Sequence, residues 1–366
     1  MKKSLIALAV LAASGASFAQ VTVTGTLITG YKSSLTAPTK GTQAEQITQS
    51  VTAALAGGSG GNVVGDSSGL GIDTSLITFT AKEDLGGGMS VAAEMSFDGV
   101  SRAGVAGGDS SLKLTTSVGR LTLQSYKAID YLSGGVSGVG GVGMDNKVFP
   151  SRSLKDSIGF DTKLGPVYLG VSHSEQASAN SSVTTGVGAG LGVGGAGAAG
   201  TTGQRLNSMS VTYVSGSLVA NLNYLVYDGR TDNVNTSYRD VIRTAASYDL
   251  GVAKLGGGFS VLTTTGGSTL TDSMIAVSVP VGALTLGANF AQETSAGTIA
   301  QTIPVAGVGN VPFVAGQLDQ TRSGSGLSAS YALSKRTSLI ATYANWVSAV
   351  GKDRNNETNL LVSHSF

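Results

Sequence analysis

An all-β chain closed into a transmembrane antiparallel barrel of sixteen strands is the fold class predicted by three observations. An export signal opens the chain, paired short-range strands fill it, and a half-apolar strand ending on an aromatic residue closes it. In that last segment, Glu357 to Phe366, Leu360, Val362, His364 and Phe366 share one face, while Asn359, Leu361, Ser363 and Ser365 share the other. This is the two-residue period of a strand.

Lys2 and Lys3 form a positively charged start, Leu5 to Ala13 an unbroken apolar run, and Ser17-Phe18-Ala19 a small-residue cleavage motif. Residues 1–19 are therefore expected to be a signal peptide and residues 20–366 the barrel domain, located in the outer membrane. The apolar run is shorter than the roughly 20 residues a spanning helix needs. Later apolar stretches are interrupted within a few positions by Thr, Ser, Gly or Asn. With no Cys in the chain, disulfides are not its means of stability.

Charged residues make up only 12% of the chain, against about 25% in ordinary globular domains. Gly alone supplies 54 residues, and Thr and Ser are abundant. Low charge with alternating small polar and apolar residues fits strands that face lipid on one side and a wet lumen on the other. Of the 23 basic residues, losing Lys2 and Lys3 leaves 21 against 22 acidic ones, a net charge near −1. That balance argues against a nucleic-acid partner, which calls for a basic patch, and provides no global field for steering ions of one sign.

The strands follow in order. Val21 to Lys32 alternates cleanly, with Thr22, Thr24, Thr26 and Lys32 on one face, and a long polar stretch runs on to about Asp73. Thr74 to Glu83 and Met89 to Asp98 flank the tight turn Asp84-Leu85-Gly86-Gly87-Gly88. Six more pairs follow, each joined by a short turn: Ser111 to Ser117 with Leu121 to Tyr126, Ser157 to Lys163 with Val167 to Ser174, and Ser208 to Val214 with Leu218 to Tyr227. The others are Val241 to Asp249 with Ala253 to Leu262, Ser273 to Val279 with Leu284 to Gln292, and Leu327 to Leu333 with Ser338 to Ala349. Seven tight turns thus fall on one side and eight mostly longer loops on the other, as in an outer-membrane barrel with short periplasmic turns and longer external loops. Closure sets the first strand beside the last, so no unpaired edge faces lipid. Tyr248, Tyr331 and Phe366 lie at the turn side, and Tyr31, Tyr126, Tyr227 and Trp346 towards the loop side, the pattern of two aromatic girdles.

The leader Met1 to Ala16, the turn Glu83-Asp84-Leu85-Gly86-Gly87-Gly88-Met89, the turn Tyr331-Ala332-Leu333-Ser334-Lys335-Arg336-Thr337 and the ending Ser363-His364-Ser365-Phe366 resemble those of general porins of β-proteobacteria. The resemblance implies a homotrimer that passes small hydrophilic solutes and ions by passive diffusion. It implies that the third long loop folds into the lumen as a constriction, and that Phe366 is an assembly signal read by the barrel-assembly machinery.

By strand count the third loop runs from about Lys127 to Lys155, and its candidate constriction residues are Lys127, Asp130, Tyr131, Asp145, Lys147 and Arg152. Period-two reading places Lys32, Lys82, Glu94, Asp98, Lys113 and Arg120 on the lumen side of the first five strands. Charge on the lipid side would cost about 2–4 kcal/mol at midplane. Lys82 and Arg120 lie near periplasmic turns and mark the pore exit; Glu94, Asp98 and Lys113 are mid-channel candidates. Relatives commonly carry lumen arginines just before the Glu-Asp-Leu-Gly-Gly-Gly turn. Here Leu76, Thr78 and Thr80 stand there, with Ser125 and Gly159 where further arginines are expected. The expectation is a wide pore with weak charge preference, set by loop and wall charges.

Other motifs carry no chemistry. Gly192 to Gly197 matches a phosphate-binding pattern by letter but opens no helix after a strand, so no cofactor is expected. His173 and His364 are the only histidines and have no nucleophile and acid arranged around them, so no enzyme is expected. No cluster supplies a zinc ligand set. Asp228, Asp232 and Asn235 are a weak calcium candidate without EF-hand spacing. A solute-specific channel, a barrel enzyme and an adhesin remain as alternative readings.

Overall fold

The computed structural model describes residues 20–36, 65–101, 104–128, 132, 135–150, 152, 154–176, 205–228, 238–305, 309–317, 320–347 and 354–366. Among them there is no helix. Eighteen strands run in chain order among the described residues: β1 Gln20–Thr36, β2 Gly65–Gly86, β3 Met89–Ser101, β4 Gly104–Thr115, β5 Arg120–Lys127, β6 Leu154–Leu164, β7 Val167–Gln176, β8 Arg205–Ser215 and β9 Leu218–Asp228. They continue with β10 Tyr238–Asp249, β11 Lys254–Thr264, β12 Thr269–Val281, β13 Leu284–Ala296, β14 Thr298–Val305, β15 Gly309–Gln317, β16 Gln320–Ala332, β17 Thr337–Trp346 and β18 Asn355–Ser365. Sixteen close into an antiparallel barrel, each beside its chain neighbours, and β14–β15 form a separate hairpin between β13 and β16.

The barrel strands are those expected, but several reach further towards the loop side. β3 and β4 are separated by residues 102–103 alone, and β11 and β12 by 265–268, so these two joins are short. The hairpin β14–β15 falls in a stretch read as plain loop, because Thr, Ala and Pro blur its alternation.

Closure rests on β1. It pairs with β2 along one edge and with β18 along the other, from Thr26 opposite Ser365 to Leu35 opposite Asn356. The seam ends where Gly25 and Phe366 exchange both backbone hydrogen bonds, each 3.0 Å. No backbone edge is left for lipid, where an unsatisfied amide costs several kcal/mol.

Register fixes which face is wet. Val23, Phe79 and Met95 occupy successive paired positions and are exposed outward, as are Leu339 and Val362. The residues between them, Thr24, Thr78 and Ser96, face the lumen. Tyr248, Tyr331 and Phe366 are exposed on the outer face beside periplasmic turns. Tyr31 is also outward, but Tyr126, Tyr227 and Trp346 pair with lumen-facing Lys155, Leu206 and Gly324, so an external girdle does not include them. Ile275, in the middle of β12, is 65% exposed on the outer face. Ile275→Arg is expected to lower stability in vesicles by about 2–4 kcal/mol, read from urea unfolding; an unchanged midpoint would mean that this face does not meet lipid.

A bulge in β2 makes one exception to alternation. Ile28 pairs with Thr74 and Thr29 with Ile72, leaving Asp73 as the extra residue. The bulge aims its carboxylate at Lys32, 2.6 Å away.

Candidate functional site

The apolar core of the described residues lies inside the barrel. Leu132, Met144, Val148 and Phe149 of loop 3, the join between β5 and β6, are fully buried against Met274, Ala276 and Ala291 on the lumen side of β12 and β13. Val139, Val142 and Trp346 pack at its margin. Loop 3 therefore leaves β5, crosses the lumen and lies on the opposite wall. The sequence carried a signal for this: β12 reads Met274-Ile275-Ala276-Val277, apolar on both faces. In a wet-lumen barrel an apolar inward face implies that something covers it.

The loop approaches the wall at main-chain distance. A Cβ added to Gly287 of β13 would sit 2.6 Å from the Gly141 nitrogen, and one added to Gly326 of β16 would sit 2.8 Å from the Val142 nitrogen. Ordinary carbon contacts settle at about 3.5–4.0 Å, so side chains there would push the loop towards the axis. Between these two glycines stands Asn289, whose Nδ2 donates to the Val142 carbonyl at 2.6 Å and whose Oδ1 accepts from the Val142 N–H at 3.4 Å.

The descending end of the loop is held by charge. Lys147 points at the wall, 3.6 Å from Glu357 of β18 and 5.3 Å above the Trp346 ring. Asp145 and Arg152 approach to 3.9 Å, and Asp145 bridges to Phe149. Lys127 ends β5 opposite the exposed Leu154, on the outward side of the strand and away from the lumen. Asp130 and Tyr131 lie outside the described residues. Along 131–144 the loop carries no charged side chain, so its middle offers solutes backbone and small apolar groups.

The wall facing the loop is charged in pairs. Lys32 meets Asp73 at 2.6 Å, Lys113 of β4 meets Glu94 of β3 at 3.7 Å, and Arg120 of β5 meets Asp161 of β6 at 2.9 Å. All six side chains are partly exposed to lumen water. Exposed pairs of this kind contribute only about 0–1 kcal/mol to stability, so their consequence is for the field in the lumen. Asp98 keeps lumen parity opposite Ala106 and is exposed. Leu76, Thr78, Thr80 and Gly159 face the lumen as read, whereas Ser125 pairs with Asp156 on the outer face and replaces no lumen arginine.

A second charged belt is not marked by alternation in the chain, because Asp272, Glu293 and Arg322 lie just beyond the expected strands and enter the ladder only where the strands extend towards the loop side. Arg243, Ser260, Asp272, Glu293 and Arg322 are successive register partners across β10, β11, β12, β13 and β16. Asp272 and Glu293 are only 3% and 4% exposed. Arg322 Nε donates to Glu293 Oε1 at 2.7 Å. Two guanidinium groups thus flank two carboxyl groups along this belt. Only Arg243 falls within an expected strand; Asp73 escapes parity for another reason, because its bulge reverses it locally.

No group of three or more His, Asp or Glu side chains suited to a metal occurs among the described residues. His173 Nδ1 lies 2.8 Å from Asn207 Oδ1, and His364 Nδ1 lies 2.9 Å from Thr337 Oγ1, both on the outer face.

Comparison with known proteins agrees with this architecture. The family model described as Gram-negative porin matches residues 5–346. No curated protein sequence matches significantly. Among solved structures, the anion-selective porin from Comamonas acidovorans superposes with a TM-score of 0.60 at 17% identity, over 95% of this chain and 100% of that one. A triple mutant of the Rhodopseudomonas blastica porin gives 0.57 at 11% identity, over the same shares. At such identities the likeness speaks for the fold.

Proposed function

The chain belongs to the Gram-negative porin family and forms an outer-membrane channel for passive diffusion; from that premise we propose that it is a general channel, narrowed by loop 3, with weak charge preference. The observation that carries this reading is the pairing of lumen charge. Lys32, Lys113, Arg120 and Arg322 each have a carboxylate within ion-pair distance. Paired charges a few ångströms apart act on a passing ion as short dipoles, whose field fades within the roughly 10 Å Debye length of 0.1 M salt. The anion selectivity named for the Comamonas porin is therefore not carried over to this chain.

The aperture lies between loop 3 and the wall of β1–β6, with Glu94, Asp98 and Lys113 at mid-channel and Arg120 towards the exit. Asp145, Lys147 and Arg152 act as supports of the loop more than as contacts for solute. Residues 1–19 serve as the cleaved export signal. The working assembly is a homotrimer, favoured by the apolar outward faces of β1 and β18, where Val21, Val23, Leu27, Leu360 and Val362 are exposed. Phe366 serves the barrel-assembly machinery as a recognition signal. Porins are non-enzymatic channels, and no catalytic role is assigned.

Planar-bilayer recording tests the reading. Under a salt gradient the reversal potential is expected near zero, and neutral sugars of increasing size are expected to lower conductance gradually without saturable block. A strong anion preference would overturn the charge reading. Saturable block by one solute class would replace the general channel with a solute-specific one.

A further inference from the structure

We propose that Asn289 is the residue that sets the aperture, by holding the middle of loop 3 back against the wall. The inference rests on the reading of loop 3 as the constriction. A main chain without secondary structure must find partners for its N–H and C=O groups. Residues 138–143 run Gly-Val-Gly-Gly-Val-Gly and carry no side chain that could hold the loop by charge or hydrogen bond. At Val142 both main-chain groups are met by one side chain, the amide of Asn289, which offers a donor and an acceptor together.

The surroundings make that amide a strap. Asn289 is only 7% exposed, beneath the loop and out of the solute's path. On either side Gly287 and Gly326 have no side chain, so the loop backbone settles against the strands, and Asn289 keeps it there. Apolar packing of Leu132, Met144, Val148 and Phe149 fixes the two flanks. Packing of that kind is non-directional, and Val139 and Val142 of the glycine-rich middle touch only the margin of the core, whereas the paired hydrogen bonds fix the depth of the loop.

The position therefore acts on size and steadiness of the channel and leaves charge selection alone. In Asn289→Ala both bonds are lost. In Asn289→Asp the carboxylate can accept from the Val142 N–H but faces its carbonyl without a donor. Both variants are expected to show open-channel current noise several-fold above wild type and a smaller mean step, and Asn289→Ala, which adds no charge, is expected to leave the reversal potential under a salt gradient unchanged. Gly287→Ala is expected to lower the step without added noise, because its Cβ would meet Ser328 Oγ and the loop backbone at Gly140 and Gly141 first, thickening the bed while the strap still holds. Each variant is first scored for the heat-modifiable folded barrel on gels, and Asn289→Asp decides should Asn289→Ala fail to fold. Wild-type noise and step in the folded Asn289 variants overturn the proposal. Deleting residues 135–143 separates the two readings. A larger step with silent Asn289 variants sinks only the role of Asn289, while an unchanged step sinks loop 3 as the constriction.

Discussion

Deleting Phe366 is expected to cut the yield of folded barrel severely, while leaving the selectivity of any channel that does form unchanged. The backbone of Phe366 supplies the last two hydrogen bonds of the closing seam, both to Gly25. Its ring lies down over the same glycine: a Cβ added at Gly25 would come within 2.7 Å of Phe366 Cε2 and closer still to Cζ. Loss of the residue leaves the Gly25 N–H and C=O without strand partners at the lipid boundary, where such groups cost several kcal/mol each. Two environments separate the seam from the signal. If Phe366 acts only as a signal, its deletion should fold normally in pure lipid vesicles and fail only in cells. If the seam matters as well, folding in vesicles slows too. Gly25→Val, which displaces the ring and leaves the ending intact, is expected to share the vesicle defect. Normal folding of both variants in vesicles would reduce Phe366 to a signal alone.

The second large effect follows from the charge pairs. Combining Asp73→Asn, Glu94→Gln and Asp161→Asn removes the acidic partners of Lys32, Lys113 and Arg120 and leaves three cations on one wall. A unit charge 4 Å from an ion in water is worth about 1 kcal/mol, close to a fivefold preference. The triple variant is therefore expected to turn a weakly selective channel into a clearly anion-selective one, most strongly at low salt, where screening is least. The readout is the reversal potential in a potassium chloride gradient. An unmoved potential would show that ions do not pass along the β1–β6 wall, and would place the aperture elsewhere. Stability should barely change, because pairs this exposed contribute about 0–1 kcal/mol each.

Strand positions and faces were legible in the chain because lipid and water alternate with the same period as the side chains. Parity alone puts Lys32, Glu94, Lys113 and Arg120 on the lumen side and reaches Arg243 as well, but Asp272, Glu293 and Arg322 lie beyond the strand bounds that alternation marks. Parity failed where the backbone departs from the ladder. Asp73 turns inward only because of its bulge, and the β14–β15 hairpin stands outside the barrel altogether. Loop 3 resisted for another reason. Its charged residues have the chemistry of pore-lining groups, yet Lys147 pairs with Glu357 and Trp346, and Lys127 lies on the outward side of its strand.

By itself the sequence determined an exported all-β chain, sixteen barrel strands, the side on which the tight turns fall, and an ending fit to close a seam. Those properties are local: they follow from a two-residue period, turn residues and the cost of placing charge in lipid. Only the tertiary structure decided which charges meet, where loop 3 rests and what holds it there. Lys113 finds Glu94 and Arg120 finds Asp161 through strand register. Asn289 reaches Val142 across 147 residues of chain because barrel closure brings β13 beneath the loop. Contacts between distant segments leave no periodic trace in the chain, and they appear only once the barrel has closed.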